Sequence, residues 1–264
     1  MPLFEFDTWN LLSTLVISLG MQALFFLFAA LLRSDVFTDI TYAMTFALLS
    51  LLLLFGAGDL EPARLIIAGL IIAWSLRLGG YLLVRILRTG RDARFDGIRE
   101  KPLRFAAFWF FQGISIWIIM LPLTLAMSRP GDWSAGWALV VGAAVWALGL
   151  LIETVADQQK FRFRNRPENS GRFINRGLWR TSRHPNYFGE MMCWWGLFVV
   201  TIPALEGWQL LAVAGPLFLT LLLRFGTGVP TVARQQREKY GHQPEFQKYL
   251  RTTRLLVPWF TPRR

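Results

Sequence analysis

The chain has 264 residues, of which 54% are hydrophobic, 15% aromatic and only 17% charged, a balance that excludes an ordinary soluble domain and points to an integral membrane protein. With Cys193 as its one cysteine and His184 and His242 as its two histidines, a disulfide framework is excluded and a zinc or haem site would lack ligands. The net charge of +11 raises nucleic acid as a partner, but the placement of the cations explains it better.

Stretches of about 20 apolar residues, enough to cross a roughly 30 Å hydrocarbon layer, lie near 9–32, 36–55, 65–84, 105–127, 133–156, 187–205 and 208–226. The expected fold is an all-α integral membrane protein with seven transmembrane helices, one domain over residues 1–264, the N-terminus outside and the C-terminus cytoplasmic. In that topology Arg33, the cations from Arg85 to Arg104, those from Lys160 to Arg183 and those from Arg234 to Arg264 all face the cytoplasm, 24 of 28 in the chain. Only Arg64 and Arg129 fall on the far side, while Arg77 and Arg224 lie within or at the ends of helices; this is the positive-inside pattern. Glu5 and Asp7 precede the first apolar stretch with no basic n-region, so that helix is expected to remain as a span.

Helix 2 opens with DVFTDITYAM. Asp39 and Tyr42 share a face, and Asp39 in apolar surroundings is expected either to stay protonated as a donor to a carbonyl or to pair with Arg77, with Asp35 capping the helix. In helix 3, Arg77 and Tyr81 are one turn apart, and an arginine inside a span needs a partner. Gln112 and Trp117 of helix 4 could line the same cavity or serve as packing. The loop 88–105 mixes Arg with Asp92, Asp96 and Glu100.

Helix 5 ends in ETVADQQKF, where Glu153 and Asp157 are four apart and face one way. They either pair with an arginine of the next segment or orient a polar ligand. The segment 157–186, DQQKFRFRNRPENSGRFINRGLWRTSRHPN, reads as a loop between helices. Its Lys160, Arg164, Arg172 and Arg183 suit lipid headgroups or, in a cluster, the phosphates of a multiply charged ligand. RHPNYFGE follows: Pro185 suits a first helical turn, His184 stands just ahead of it, Asn186 and Glu190 share a face, and Tyr187 lies beside them. A short amphipathic helix is expected over 231–240 with Gly241 as its stop, then Phe246, Tyr249, Leu255, Leu256 and Trp259 as surface anchors. FGTGVP at 225–230 lacks the third glycine and the preceding strand of a Rossmann fingerprint.

ADQQKFRFR at 156–164, GLWRTSRHPNYFGE at 177–190, KYG at 239–241, Tyr249 and LLVPW at 255–259 resemble the cofactor half of the steroid 5-alpha-reductase superfamily, and in particular its small bacterial members filed as an uncharacterised domain. The resemblance covers 150–260, and more loosely 35–118 through DVFTD, WSLRL, RDARF and FWFFQG. It implies an NADPH-dependent reductase that delivers hydride to the carbon–carbon double bond of a lipophilic enone, such as a 3-oxo-delta4 steroid. It also implies a cofactor cavity on the cytoplasmic side of the seven helices, a substrate half at about 1–130 and a cofactor half at about 150–260. By that resemblance Asp157, Arg164, Arg172, Asn186 and Glu190 fall on cofactor positions, Arg183, His184 and Tyr187 adjoin them, and Lys160, Tyr240 and Tyr249 match positions of the sterol reductase branch.

The substrate half departs from the family pattern. Thr38 and Asp39 stand for its Gln-Glu pair and Trp74 for its Tyr, so Tyr42 or Tyr81 would supply the phenol, and Ala233 replaces a common Glu. The expected catalytic set is therefore Asp39, Tyr42 and Tyr81. The expected partners are membrane lipids and a lipophilic substrate arriving from the membrane, the expected location is a bacterial inner membrane with the active site facing the cytoplasm, and nucleic acid is not expected. The alternative is an S-adenosylmethionine-dependent methyltransferase of the isoprenylcysteine carboxyl type, which shares an RHPxYxG-like stretch but needs no clamp for a 2′-phosphate.

Overall fold

A computed structural model describes residues 3, 6–32, 34, 36–58, 61–89, 97–98, 100–129, 133 and 136–258. Asp35, Asp92, Asp96 and Trp259, to which the sequence assigns roles, lie outside the described residues. The described chain is helical throughout: α1 (Leu11–Leu31), α2 (Val36–Gly56), α3 (Pro62–Thr89), α4 (Pro102–Ser128), α5 (Gly136–Arg164), α6 (Pro185–Thr201), α7 (Ala214–Phe225), α8 (Val229–Tyr240) and α9 (Pro244–Thr252). Short 3-10 turns fill Pro167–Asn169, Gly177–Arg180, Ile202–Ala204 and Gly207–Val213. Among the described residues no β-strand forms; a single parallel bridge joins Ser182 to Arg254.

Among the described residues, six helical segments are long and apolar enough to cross a membrane, which makes this a multi-pass membrane protein. The sixth expected span is shorter than its apolar stretch. The α-helix of α6 stops at Thr201 and tightens into the 3-10 turn Ile202–Ala204, because Pro203 has no N–H with which to continue the ladder.

The chain divides into two compact units, Met1–Val140 with Leu197–Gly215, and Val141–Gly196 with Pro216–Arg264. In the first unit the core is Phe46, Leu49, Leu53, Ile67, Ile71 and Trp74, all nearly inaccessible. A polar seam joins α1, α2 and α4: Ser18 Oγ donates to the Gly113 carbonyl at 2.9 Å, Gln22 Nε2 to Thr45 Oγ1 at 3.0 Å and Gln112 Nε2 to Gln22 Oε1 at 2.9 Å. Interhelical hydrogen bonds of this kind fix register where burial of apolar surface cannot, since lipid tails are as apolar as leucine. Trp117 Nε1 donates to the Leu11 carbonyl at 2.8 Å, so its role is at the start of α1.

In the second unit α5 and α6 meet backbone to backbone. A Cβ on Gly189 would lie 2.6 Å from the Gly149 carbonyl oxygen and the Glu153 nitrogen, and one on Gly196 would lie 2.6 Å from the Gly142 oxygen. Small residues let membrane helices approach this closely. α5 itself runs to Arg164, two turns beyond the expected end of the span at 156 and one turn beyond the helical ETVADQQKF. Arg162 and Arg164 are thus helical residues and not part of a loop; Gln, Lys and Arg favour helix, and cations in a last turn complement its dipole.

Candidate functional site

The polar residues of the second unit gather round the end of α5 and the mouth of α6. Trp179, 1% exposed, anchors the intervening segment: its Nε1 donates to the Ala156 carbonyl at 2.9 Å, and the Lys160 ammonium lies 4.8 Å above its ring. The Leu178 amide donates to Gln159 Oε1 at 2.9 Å. A cleft beside this anchor is lined by Lys160, Arg164, Arg172, Tyr240 and Tyr249, together with Phe163, Phe173, Trp179, Gln236 and Phe246. Three cations thus stand around aromatic walls. Phe173 is the hub of those walls, its centroid 6.1 Å from that of Tyr240, 5.1 Å from Phe246 and 5.3 Å from Tyr249.

The other expected residues lie at the helix mouth. Glu153 and Asp157 are buried on α5, the former against Gly189 of α6, next to Glu190. Pro185 opens α6 as expected, and Ser182 Oγ accepts from the His184 amide at 3.1 Å in a local turn just ahead of the helix. The His184 and Tyr187 rings stack, 5.4 Å apart with an interplanar angle of 1°. His184 is 3% exposed. Burial first, then the nearby Lys160, Arg183 and Arg224 charges, lower its pKa to about 3, so it is neutral at physiological pH.

Two atoms here lack what buried polar groups nearly always have. Arg183 Nε and Asn186 Oδ1 are inaccessible to solvent and, among the described residues, meet no hydrogen-bond partner. Burial lowers the pKa of the Arg183 guanidinium, with Tyr249 opposing and Arg237 and Arg224 adding to the effect. Burial likewise raises the Tyr249 phenol. A donor and an acceptor left over beside three cations and aromatic rings suit a ligand with phosphate, amide and planar ring groups.

The tail holds this region in place, a role the sequence did not reveal. Tyr249 Oη donates to the Trp179 carbonyl at 2.7 Å, Ser182 Oγ to the Leu256 carbonyl at 2.6 Å, and the Arg183 amide to the Arg254 carbonyl at 2.8 Å. α9 was equally unforeseen, although Pro244 at a first helical turn with Phe246 and Tyr249 three apart was a readable signal. α8 lies where it was expected, beginning two residues earlier, with Gly241 at its C-cap in an ordinary right-handed conformation.

In the first unit Asp39 forms an ion pair with Arg85, 2.7 Å between Oδ2 and Nη2. Tyr42 packs edge-on against Phe46 and Trp74, at 5.0 and 6.4 Å between centroids, and the Arg77 guanidinium lies 5.8 Å from the Tyr81 ring centroid. The three expected catalytic residues therefore lie on neighbouring elements of one unit, α2 and α3.

A helical multi-pass membrane protein with a basic, aromatic-walled site is the class these features define. The profile of the DUF1295 family, described as a protein of unknown function, matches residues 25–253, and the chain belongs to that family. Among curated proteins it is similar to 3-oxo-5-alpha-steroid 4-dehydrogenase 1 of Mus musculus, 30% identical over 128 residues, 48% of this chain and 45% of that protein. The protein of the same name from Bos taurus is 27% identical over 128 residues, 48% of this chain and 44% of its own length. That of Rattus norvegicus is 29% identical over 130 residues, with the same shares. The chain thus spans less than half the length of the curated relatives it matches. Together these matches put it in the steroid 5-alpha-reductase-like superfamily. No solved structure matches.

Proposed function

We propose that the protein is an NADPH-dependent reductase of a lipophilic enone, with a 3-oxo-delta4 steroid or a similar lipid as substrate. The observation that carries the cofactor reading is the pair of buried groups at the mouth of α6, Arg183 Nε and Asn186 Oδ1, that meet no partner among the described residues, with Tyr249 linking Arg183 to the cleft lined by Lys160, Arg164 and Arg172. NADPH, when bound, supplies a hydride to the carbon–carbon double bond. Arg164, Arg172 and Lys160 hold its phosphates, Asp157 and Glu190 receive its hydroxyl and amide donors, and Asn186 and Tyr187 orient its nicotinamide end. His184, being neutral, orients without adding charge, and the Tyr240 and Tyr249 rings wall the cleft.

On the substrate side Tyr42 donates to the carbonyl conjugated with the reacting double bond. Tyr81 and the Asp39–Arg85 pair set the polarity around it, stabilising the charge that develops on that oxygen. The alpha carbon then takes a proton from water, so that one hydride and one proton add across the double bond. The topology that goes with this reading has seven crossings, α6 and the segment around α7 each making one, the N-terminus outside and the site facing the cytoplasm of an inner membrane.

Calorimetry on detergent-purified protein with NADPH, NADH and S-adenosylmethionine tests the cofactor. Expected is NADPH binding that weakens at least about tenfold without the 2′-phosphate, and again in Arg172→Ala, as loss of one charge-assisted contact implies. Binding of S-adenosylmethionine with no response to NADPH would assign the site to methyl transfer.

A further inference from the structure

The polar seam of the first unit has a forced direction. Thr45 Oγ1 donates its one hydrogen to the Thr41 carbonyl at 2.7 Å, so toward Gln22 it can only accept, and Gln22 must present its amide nitrogen there. That leaves Gln22 Oε1 for Gln112 Nε2, whose second hydrogen goes to the Thr38 carbonyl at 3.1 Å. A flipped Gln112 would set its oxygen against two acceptors. Both donors of Gln112 are therefore committed, and among the described residues its Oε1 accepts no hydrogen bond. Gln22 is sealed at 1% exposure, while Gln112 retains 8%.

One turn earlier on the same face of α4 stands Trp109, 1% exposed, whose Nε1–H is buried without a partner among the described residues. An unmet acceptor and an unmet donor thus stand one turn apart on one face of a helix apolar enough to cross a membrane, where such groups are costly. Next to them is an aromatic wall: Phe105 packs with Trp109 and Ala29, and the partly exposed Phe25, Phe26, Phe37 and Phe108 pack against these.

We propose that Trp109 and Gln112 read the hydroxyl group of a lipophilic alcohol whose apolar body lies on these phenylalanines. A hydroxyl accepts from the indole and donates to the amide oxygen, satisfying both; a ketone satisfies only the indole, and a hydrocarbon satisfies neither. This recognition goes beyond hydride transfer and does not depend on it, because it is read from binding in the absence of NADPH.

The test is titration of the full chain, in phosphatidylcholine nanodiscs that carry no competing hydroxyl, with cholestanol and cholestanone, which share a saturated skeleton and differ at one oxygen. Cholestanol is expected to bind about tenfold more tightly. Gln112→Leu should bring the two within about twofold, whereas Trp109→Phe should weaken both by similar factors. Equal affinities in the unaltered protein, no binding of either probe, or a preference that survives in folded Gln112→Leu would each overturn the proposal. Should Gln112→Leu not fold, unchanged affinities in Trp109→Phe would overturn it.

Discussion

At the scale of single residues, Asn186 separates a binding role from a structural one. Among the described residues its Oδ1 has no partner, so Asn186→Ala should leave the apparent melting temperature unchanged or raise it while weakening NADPH about tenfold; a fall in both would make it a packing residue. His184 makes a prediction against pH. Its pKa is about 3 when folded against 6.5 ordinarily, so between those values the unfolded chain binds a proton that the folded chain refuses. The stabilisation is therefore full above about pH 6.5 and is lost as pH falls toward 3. The apparent melting temperature should drop over that window, and less steeply in His184→Gln. Asp39→Asn should preserve cofactor binding while slowing turnover; full activity would remove Asp39 from the reaction. Most of these residues were legible as a cluster because Arg, His, Asn and Glu are out of place at the mouth of an apolar helix. The partner of Asp39 was not, because Arg85 lies 46 positions away and only the packing of α2 on α3 brings it there.

At the scale of elements, the crossing of α5 and α6 is fixed by glycines. A Cβ at position 189 has no room, so Gly189→Ala should destabilise the protein by about 1–3 kcal/mol and displace Glu190, weakening NADPH; a melting temperature within error of the parent would show that the helices part freely. Tyr249→Phe deletes one hydrogen bond to the Trp179 carbonyl and should cost about 1 kcal/mol. Helices α1 to α4 were readable as apolar runs, to within a few residues at their ends. The continuation of α5 through Arg162 to Arg164 was not, because hydropathy marks where a helix leaves lipid and says nothing about where it stops being a helix. The 3-10 end of α6 had its signal in Pro203, although Ile202 and Ala204 are as apolar as the span they terminate.

At the scale of the whole molecule, large apolar side chains such as Phe55, Leu76, Leu103, Val140 and Leu211 stand exposed, which is tolerable only under lipid or detergent. The orientation can be read with the chemistry the chain lacks. Its one cysteine, Cys193, is 0% exposed, so a cysteine introduced at Gln247 should be the sole site of labelling by an impermeant maleimide. Labelling is expected only after the membrane is opened; labelling of intact cells would invert the topology. The tail contacts have a consequence in time. Tyr249 and Leu256 lie 70 and 74 positions beyond the Trp179 and Ser182 they hold, an interval of about 4–15 s of synthesis at ordinary elongation rates. During that interval the mouth of α6 already exists without its strap. Maturation of the site should therefore lag membrane insertion of α6 by seconds, and a ribosome stalled between the two would leave a nascent chain that is inserted but unable to hold a ligand.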